Sequence, residues 1–301
     1  MTLEPKKSLP TNTDPHFEVW NRIRQSIAVL PAYFDSETHI EGLRATDIHT
    51  LSATLGATIE DQVVNSLNQM RDVWDSAHEY SLYSFIRQTQ TFPDVLFARR
   101  DPTTSQPTDI IMGIELKGWY VLAKEGEPSF RYQVTPSVCA PKDMVVIVPW
   151  HLSNVISGTP KILAPYIESA RYAAEYRNYW WEHLRSAKSD SNIITPKNAL
   201  PYPKKSDQIS DHPTSDSGGN FGRYARTHIM DEYIERIDTE EISGIAIQYW
   251  RDFFKMFQQD EDRTKIRSAL EKLRLKIVNN EQRDESSIQL WTEIGQALGL
   301  K

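Results

Sequence analysis

The apolar residues of this chain change their period near position 80, and that change limits the folds open to it. Upstream, Leu51, Leu55, Ile59, Val63, Leu67, Met70 and Trp74 recur every three or four residues, making a stripe along one face of a long helix that has to pack on something. Downstream, Phe92 to Ala98 and Asp109 to Leu122 are strand-like, and the turn residues TTSQP between them predict a strand pair joined by a short loop. Phe130 to Val134 is a further β-rich run. Met144 to Val148 reads MVVIV and is closed by Pro149, the pattern of a strand buried on both faces. A helix followed by a small mixed sheet makes an α/β core.

The flanks fill out this plan. The first sixteen residues are rich in Pro, Thr, Lys and Asp and read as a disordered lead-in. Phe17, Trp20, Ile23, Ile27 and Leu30 then keep a helical period that stops at Pro31. From Ile162 to about Arg185, small and aromatic residues predict a long helix that covers one face of the sheet. Residues 186–222 are poor in apolar residues and rich in Ser, Asp, Pro, Lys and Gly, as a long loop would be. Beyond them Tyr224 to Arg236, Gly244 to Gln258, Arg263 to Val278 and Ser286 to Leu298 read as helices. The expected division is a core over 17–185, a loop over 186–222 and a helical C-terminal region over 223–301, serving dimerisation or DNA recognition.

Composition excludes several classes. A single cysteine, Cys139, forms no internal disulfide, and the opening residues hold no apolar run of the signal-peptide kind, so a cytoplasmic protein is expected. No stretch approaches the roughly 18 apolar residues of a membrane span, which removes the membrane as a partner. Net charge is −7, from 34 Lys plus Arg against 41 Asp plus Glu. That argues mildly against coating by nucleic acid, but a DNA-enclosing cleft needs only local basic charge. There is no P-loop, GxGxxG, GxSxG, HExxH or paired CxxC. His151, after the apolar strand, reads as a structural histidine.

The strongest chemical feature is Phe92-Pro93-Asp94 followed, twenty-one positions after the aspartate, by Glu115 within Ile114-Glu115-Leu116-Lys117. Side chains alternate along a strand, so Ile114 and Leu116 enter the core while Glu115 and Lys117 project together on the other side. Pairing the two strands brings Asp94 beside them. Two carboxylates are the oxygen ligands Mg²⁺ takes alongside substrate phosphates and waters, and a lysine next to the ion can orient or deprotonate a water and offset charge developing on the phosphate. An exposed strand that alternates apolar and charged residues for solubility has the same pattern.

Pro93, Asp94, Glu115 and Lys117 resemble the catalytic motif of the PD-(D/E)XK nuclease superfamily, which includes most type II restriction endonucleases. The likeness spans about Leu51 to Arg177. It implies a restriction-endonuclease-like core, a mixed sheet flanked by helices, and Mg²⁺-dependent hydrolysis of DNA that leaves a 5′-phosphate and a 3′-hydroxyl. Asp94 and Glu115 are then the metal ligands and Lys117 the residue that positions water. Glu60 borders the buried stripe of its helix, and it matches a glutamate that the family often places there to reach the metal. Asp61 is the weaker candidate.

Contacts to DNA are less sharply marked. Arg99, Arg100 and Lys124 flank the two strands where phosphates would lie, and Gln133 resembles a polar residue that some family members place near the site. The basic run Arg263 to Lys276 and the pair Lys204-Lys205 suit backbone contacts, or a solvated face. Within Gly218 to Arg226, Asn220, Arg223 and Arg226 are residue types that read bases or grip phosphates, although a loop-to-helix junction also uses Gly and Asn for its own geometry. Cutting a duplex takes two sites, so a homodimer on double-stranded DNA is expected. A restriction role further implies a cognate DNA methyltransferase encoded nearby. The alternatives are a structure-specific repair, recombination or mobile-element defence nuclease, and a non-catalytic DNA-binding subunit of the same fold.

Overall fold

The computed structural model describes residues 3–41, 51–186, 192–216 and 219–256, with a few helical positions between 264 and 275. Helix α1 (Phe17–Ala28) stops at a 3₁₀ turn, Leu30–Ala32, as Pro31 requires. Helix α2 (Leu51–Gln69) carries the long stripe, and a single turn, α3 (Arg71–Trp74), ends it. The stripe is buried from Leu51 to Trp74. These helices lie against one face of a six-stranded mixed sheet.

The strands are β1 (Tyr83–Arg87), β2 (Val95–Arg100), β3 (Pro107–Tyr120), β4 (Met144–Leu152), β5 (Pro160–Ile162) and β6 (Tyr166–Ser169). β1, β2 and β3 form an antiparallel meander, so the expected pair of strands is present with the turn where TTSQP lies. β4 joins β3 in parallel, from Ile114 against Met144 to Tyr120 against Trp150. On the far side of β4, β6 pairs with its first half and β5 with its last residues, both antiparallel. All nine residues of β4 are buried, as the run of apolar residues requires of a central strand. Trp74 of α3 meets Phe85 and Phe97 edge-on at 5.5 and 5.2 Å, which locks the helical layer to the meander.

Three expectations need correction. Phe130 to Val134 is not a ladder strand: it makes isolated bridges from Arg131 to Arg223 and from Val134 to Ser210. The helix expected from Ile162 starts later. Ile162 closes β5, residues 166–169 are β6, and α4 spans Ala170–Tyr179 before a π-helical turn at Trp180–Leu184. Ser169 caps α4 by accepting from the Tyr172 N–H, which fixes the start there. Finally, Tyr224 to Arg236 is a 3₁₀ turn, Tyr224–Thr227, followed by α5 (Asp231–Thr239).

Helix α6 (Ile247–Lys255) falls within the predicted Gly244 to Gln258, and its Trp250, Phe253 and Phe254 join the same buried cluster as the sheet. The run Arg263 to Lys276 lies largely, and Ser286 to Leu298 wholly, outside the described residues. At the other end, residues 3–16 hold no helix or strand, and Lys7 reaches across to Glu168 on β6 at 2.7 Å. Among the described residues no helix is long and apolar enough to cross a membrane.

Candidate active site

Asp94 stands immediately before β2, and the register continues the ladder so that it faces Glu115: Val95 lies opposite Ile114, and the Asp94 N–H donates to Glu115 Oε2 at 3.3 Å. The aspartate's own carboxylate accepts from the Leu116 N–H at 2.9 Å. Lys117 Nζ then bridges the pair, 2.9 Å from Asp94 Oδ2 and 3.1 Å from Glu115 Oε1. The alternation read in Ile114-Glu115-Leu116-Lys117 holds, with Ile114 and Leu116 about 1% exposed in the core. Glu60 joins from α2, where its carboxylate feels Lys117, Asp94 and the Gly118 N–H.

Burial, and then the Asp94 carboxylate beside it, push the Glu115 carboxyl up to about 8, against the opposing pull of Lys117. Burial works against the Lys117 ammonium, but Glu115 and Asp94 outweigh it and raise its pKa above the ordinary lysine value. Glu60 is raised mainly by burial, with Lys117 drawing it back. The site therefore concentrates negative charge that one ammonium only partly offsets.

The turn that carries Asp94 is held from three sides. Gln88 takes the Asp94 carbonyl on its backbone N–H at 2.6 Å and the Pro93 carbonyl on its side-chain amide at 2.8 Å. Pro93 lies against the bare Cα of Gly113, where an added Cβ would stand 2.3 Å from Pro93 Cγ. Beside both sits Asp143, fully buried, which accepts from the Gly113 N–H at 2.7 Å, the Ala140 N–H at 2.7 Å and the Tyr202 hydroxyl at 3.2 Å. Burial raises its carboxyl to about 6, the two N–H groups working in the other direction. Sequence reasoning passed over Asp143, although an acid abutting MVVIV is itself a signal, since a carboxylate at the mouth of a buried strand needs partners.

Some expected residues are not at this site. Arg99 and Arg100 occupy the opposite end of β2 from Asp94, about 16 and about 20 Å along the strand at roughly 3.3 Å per residue. Arg100 donates there to the Ser105 carbonyl. Lys124 is exposed in the turn beyond β3. Asp61 pairs with Arg87 at 3.5 Å, and the same guanidinium stands 4.0 Å from Glu60. His151 is buried and hydrogen-bonds the Leu152 carbonyl, consistent with a structural role.

The remaining DNA-contact candidates form a second group, joined by contacts of their own. Gln133 reaches the Phe221 carbonyl at 3.5 Å, and Asn220 accepts from Arg131 at 3.1 Å. Arg223 pairs with Glu125 at 3.1 Å and Arg226 with Glu127 at 3.4 Å. Behind them Arg177, 1% exposed, donates to the Tyr132 and Val134 carbonyls and to Asp211 at 2.7 Å. That buried guanidinium takes two carbonyls of residues 130–134, while the Gln133 carbonyl between them accepts from the Asp211 N–H at 2.7 Å.

Among the described residues no cluster of three His, Cys, Asp or Glu side chains is arranged to hold a metal ion alone. Two carboxylates crowded enough to raise one proton affinity nevertheless fit a hard cation such as Mg²⁺, which takes one or two protein carboxylates and completes its shell with water and phosphate. No family model, no curated protein and no solved structure matches the chain.

Proposed function

We propose that this chain is a Mg²⁺-dependent endodeoxyribonuclease with a restriction-endonuclease-like core, acting on double-stranded DNA as a sequence-specific homodimer. The observation that carries the reading is the joining of Asp94, Glu115 and Lys117 within 3.1 Å on neighbouring strands, with Glu60 on α2 close enough to feel the same ammonium. A solvating surface strand would not bury its glutamate to 9% exposure beside a second acid.

Asp94 and Glu115 are the residues that would hold the ion, with Glu60 at the edge of its shell. A divalent cation bound there supplies Lewis-acid stabilisation of the phosphate and a water of lowered pKa. Lys117 keeps its proton because two carboxylates face it, so it serves as a donor that orients the water and offsets charge developing on the phosphate, not as the base. The Leu116 N–H fixes the Asp94 carboxylate in place for this work. Arg87, at the margin beside Glu60, is positioned for an adjoining phosphate.

The reading is tested by incubating supercoiled plasmid with the wild-type chain and Asp94→Asn in Mg²⁺, with EDTA as a control. Cleavage by the wild type, lost in both the variant and the EDTA control, is expected. A fully active Asp94→Asn variant refutes the site. Discrete fragments mark sequence recognition, and a smear marks a structure-specific enzyme.

A further inference from the structure

The segment 196–209 forms an arm that touches the turn of Asp94 at two points. The Thr91 hydroxyl donates to the Pro203 carbonyl at 3.4 Å, three residues before Asp94. The Tyr202 hydroxyl donates to Asp143, whose same oxygen holds the N–H of Gly113 beneath Pro93. Tyr202 also packs its ring against Ile86, Leu96 and Ala98, on the sheet face that carries Glu115 and Lys117. Its backbone is left-handed, at φ 56°, a conformation rare for a bulky residue and kept only where surroundings enforce it.

Around Tyr202 the arm encloses an open cavity of about 420 Å³. Pro201 and Leu200 give it apolar walls, Lys197 and Lys204 bring positive charge against the single carboxylate of Asp207, which accepts from the Lys204 N–H, and Asn198 and Gln208 offer amides. On a chain of net charge −7, two lysines against one aspartate give this mixed polar and apolar cavity a positive balance that is complementary to a nucleotide and its phosphate.

We infer that the arm 196–209 is a DNA-contacting element, and that Tyr202 and Asp143 are positioning residues that transmit its engagement to Asp94 through Gly113 and Pro93. The inference rests on the nuclease reading and adds to it the element that couples substrate binding to the catalytic turn. A nucleotide drawn into the cavity moves Tyr202, Tyr202 moves Asp143, and Asp143 sets the seat of Pro93. That path ends at the turn where Asp94 already faces Glu115, so engagement of the arm holds the aspartate in register with its partners.

The experiment measures duplex affinity in Ca²⁺ and single-turnover cleavage in Mg²⁺ for the full chain, for Lys197→Ala with Lys204→Ala, and for Tyr202→Phe. The lysine variant should bind several-fold more weakly and show a shallower salt dependence, having lost about two phosphate contacts. Tyr202→Phe should keep its affinity and cleave about ten- to a hundredfold more slowly, as misplacement of a reacting group does. A purely structural tyrosine would lower the melting temperature without that split between binding and rate. Wild-type affinity in the lysine variant, or wild-type rate in Tyr202→Phe, overturns the arm while the nuclease stands. A wild-type chain that neither binds nor cuts DNA overturns both.

Discussion

Pro93 rests on Gly113 so closely that the glycine's missing side chain is a condition of the site, not an accident of composition: a Cβ there would meet Pro93 Cγ at 2.3 Å and Asp143 Oδ1 at 3.1 Å. Gly113→Ala should therefore displace the Asp94 turn. The expected cost is about 1–3 kcal/mol of stability from overpacking, with a loss of cleavage larger than that stability change explains. Thermal melts beside single-turnover rates decide it, and an alanine variant that cuts at the wild-type rate refutes the role of the packing. Gly56 makes the contrast, because nothing lies within 4 Å of a Cβ added there in mid-helix. Gly56→Ala should stabilise the protein by about 0.5–1 kcal/mol in the same melts.

Lys117 should matter to the chemical step and not to holding DNA. Lys117→Ala is expected to retain duplex affinity in Ca²⁺ and to lose on the order of a hundredfold or more in rate in Mg²⁺. Equal losses in both measurements would make it a binding residue.

Glu115 ties stability to pH with a definite sign. An unfolded glutamate releases its proton near 4.5, whereas the folded one holds it up to about 8. Between those values the folded state carries the extra proton, so metal-free stability should fall as pH rises through this window, by a few kcal/mol in all, and flatten above it. Glu115→Gln should remove that slope and be the more stable protein at pH 8.5. Urea titrations in EDTA at several pH values would detect a slope of the opposite sign.

Arg177 and Asp211 form a buried pair whose members cannot be removed singly without leaving a stranded charge. Asp211→Ala should cost about 3–5 kcal/mol. Adding Arg177→Met should recover part of that loss in a double-mutant cycle, and strictly additive losses would mean the pair is not coupled.

The parts of this fold legible in the sequence are those where one local period meets one environment. The α2 stripe, the β2–β3 hairpin and β4 are of that kind, and so is the site, because Asp94, Glu115 and Lys117 lie on adjacent strands of a single hairpin. β6 was hidden because Tyr166, Ile167, Ala170, Ala173 and Ala174 keep a helical spacing across a boundary that Ser169 sets by capping. Residues 130–134 look like a strand by residue type, but the Tyr132 and Val134 carbonyls are taken by the Arg177 side chain, a partner 45 and 43 residues away that no local pattern announces. The pairing of Arg223 with Glu125 and of Arg226 with Glu127 is equally long-range, 98 and 99 residues apart.

The hairpin origin of the site also orders its assembly. Asp94 and Glu115 are 21 residues apart, a loop whose closure costs little entropy, so these charges can meet Lys117 as soon as β2 and β3 zip together. The parallel ladder to β4 has to wait for residues 121–143 to cross over, and slow, non-local pairings of that sort form late. The acids can thus pair with their lysine before the β4 ladder forms. A folding chain taking this route buries carboxylates that already have a partner, which lowers the cost of taking them out of water.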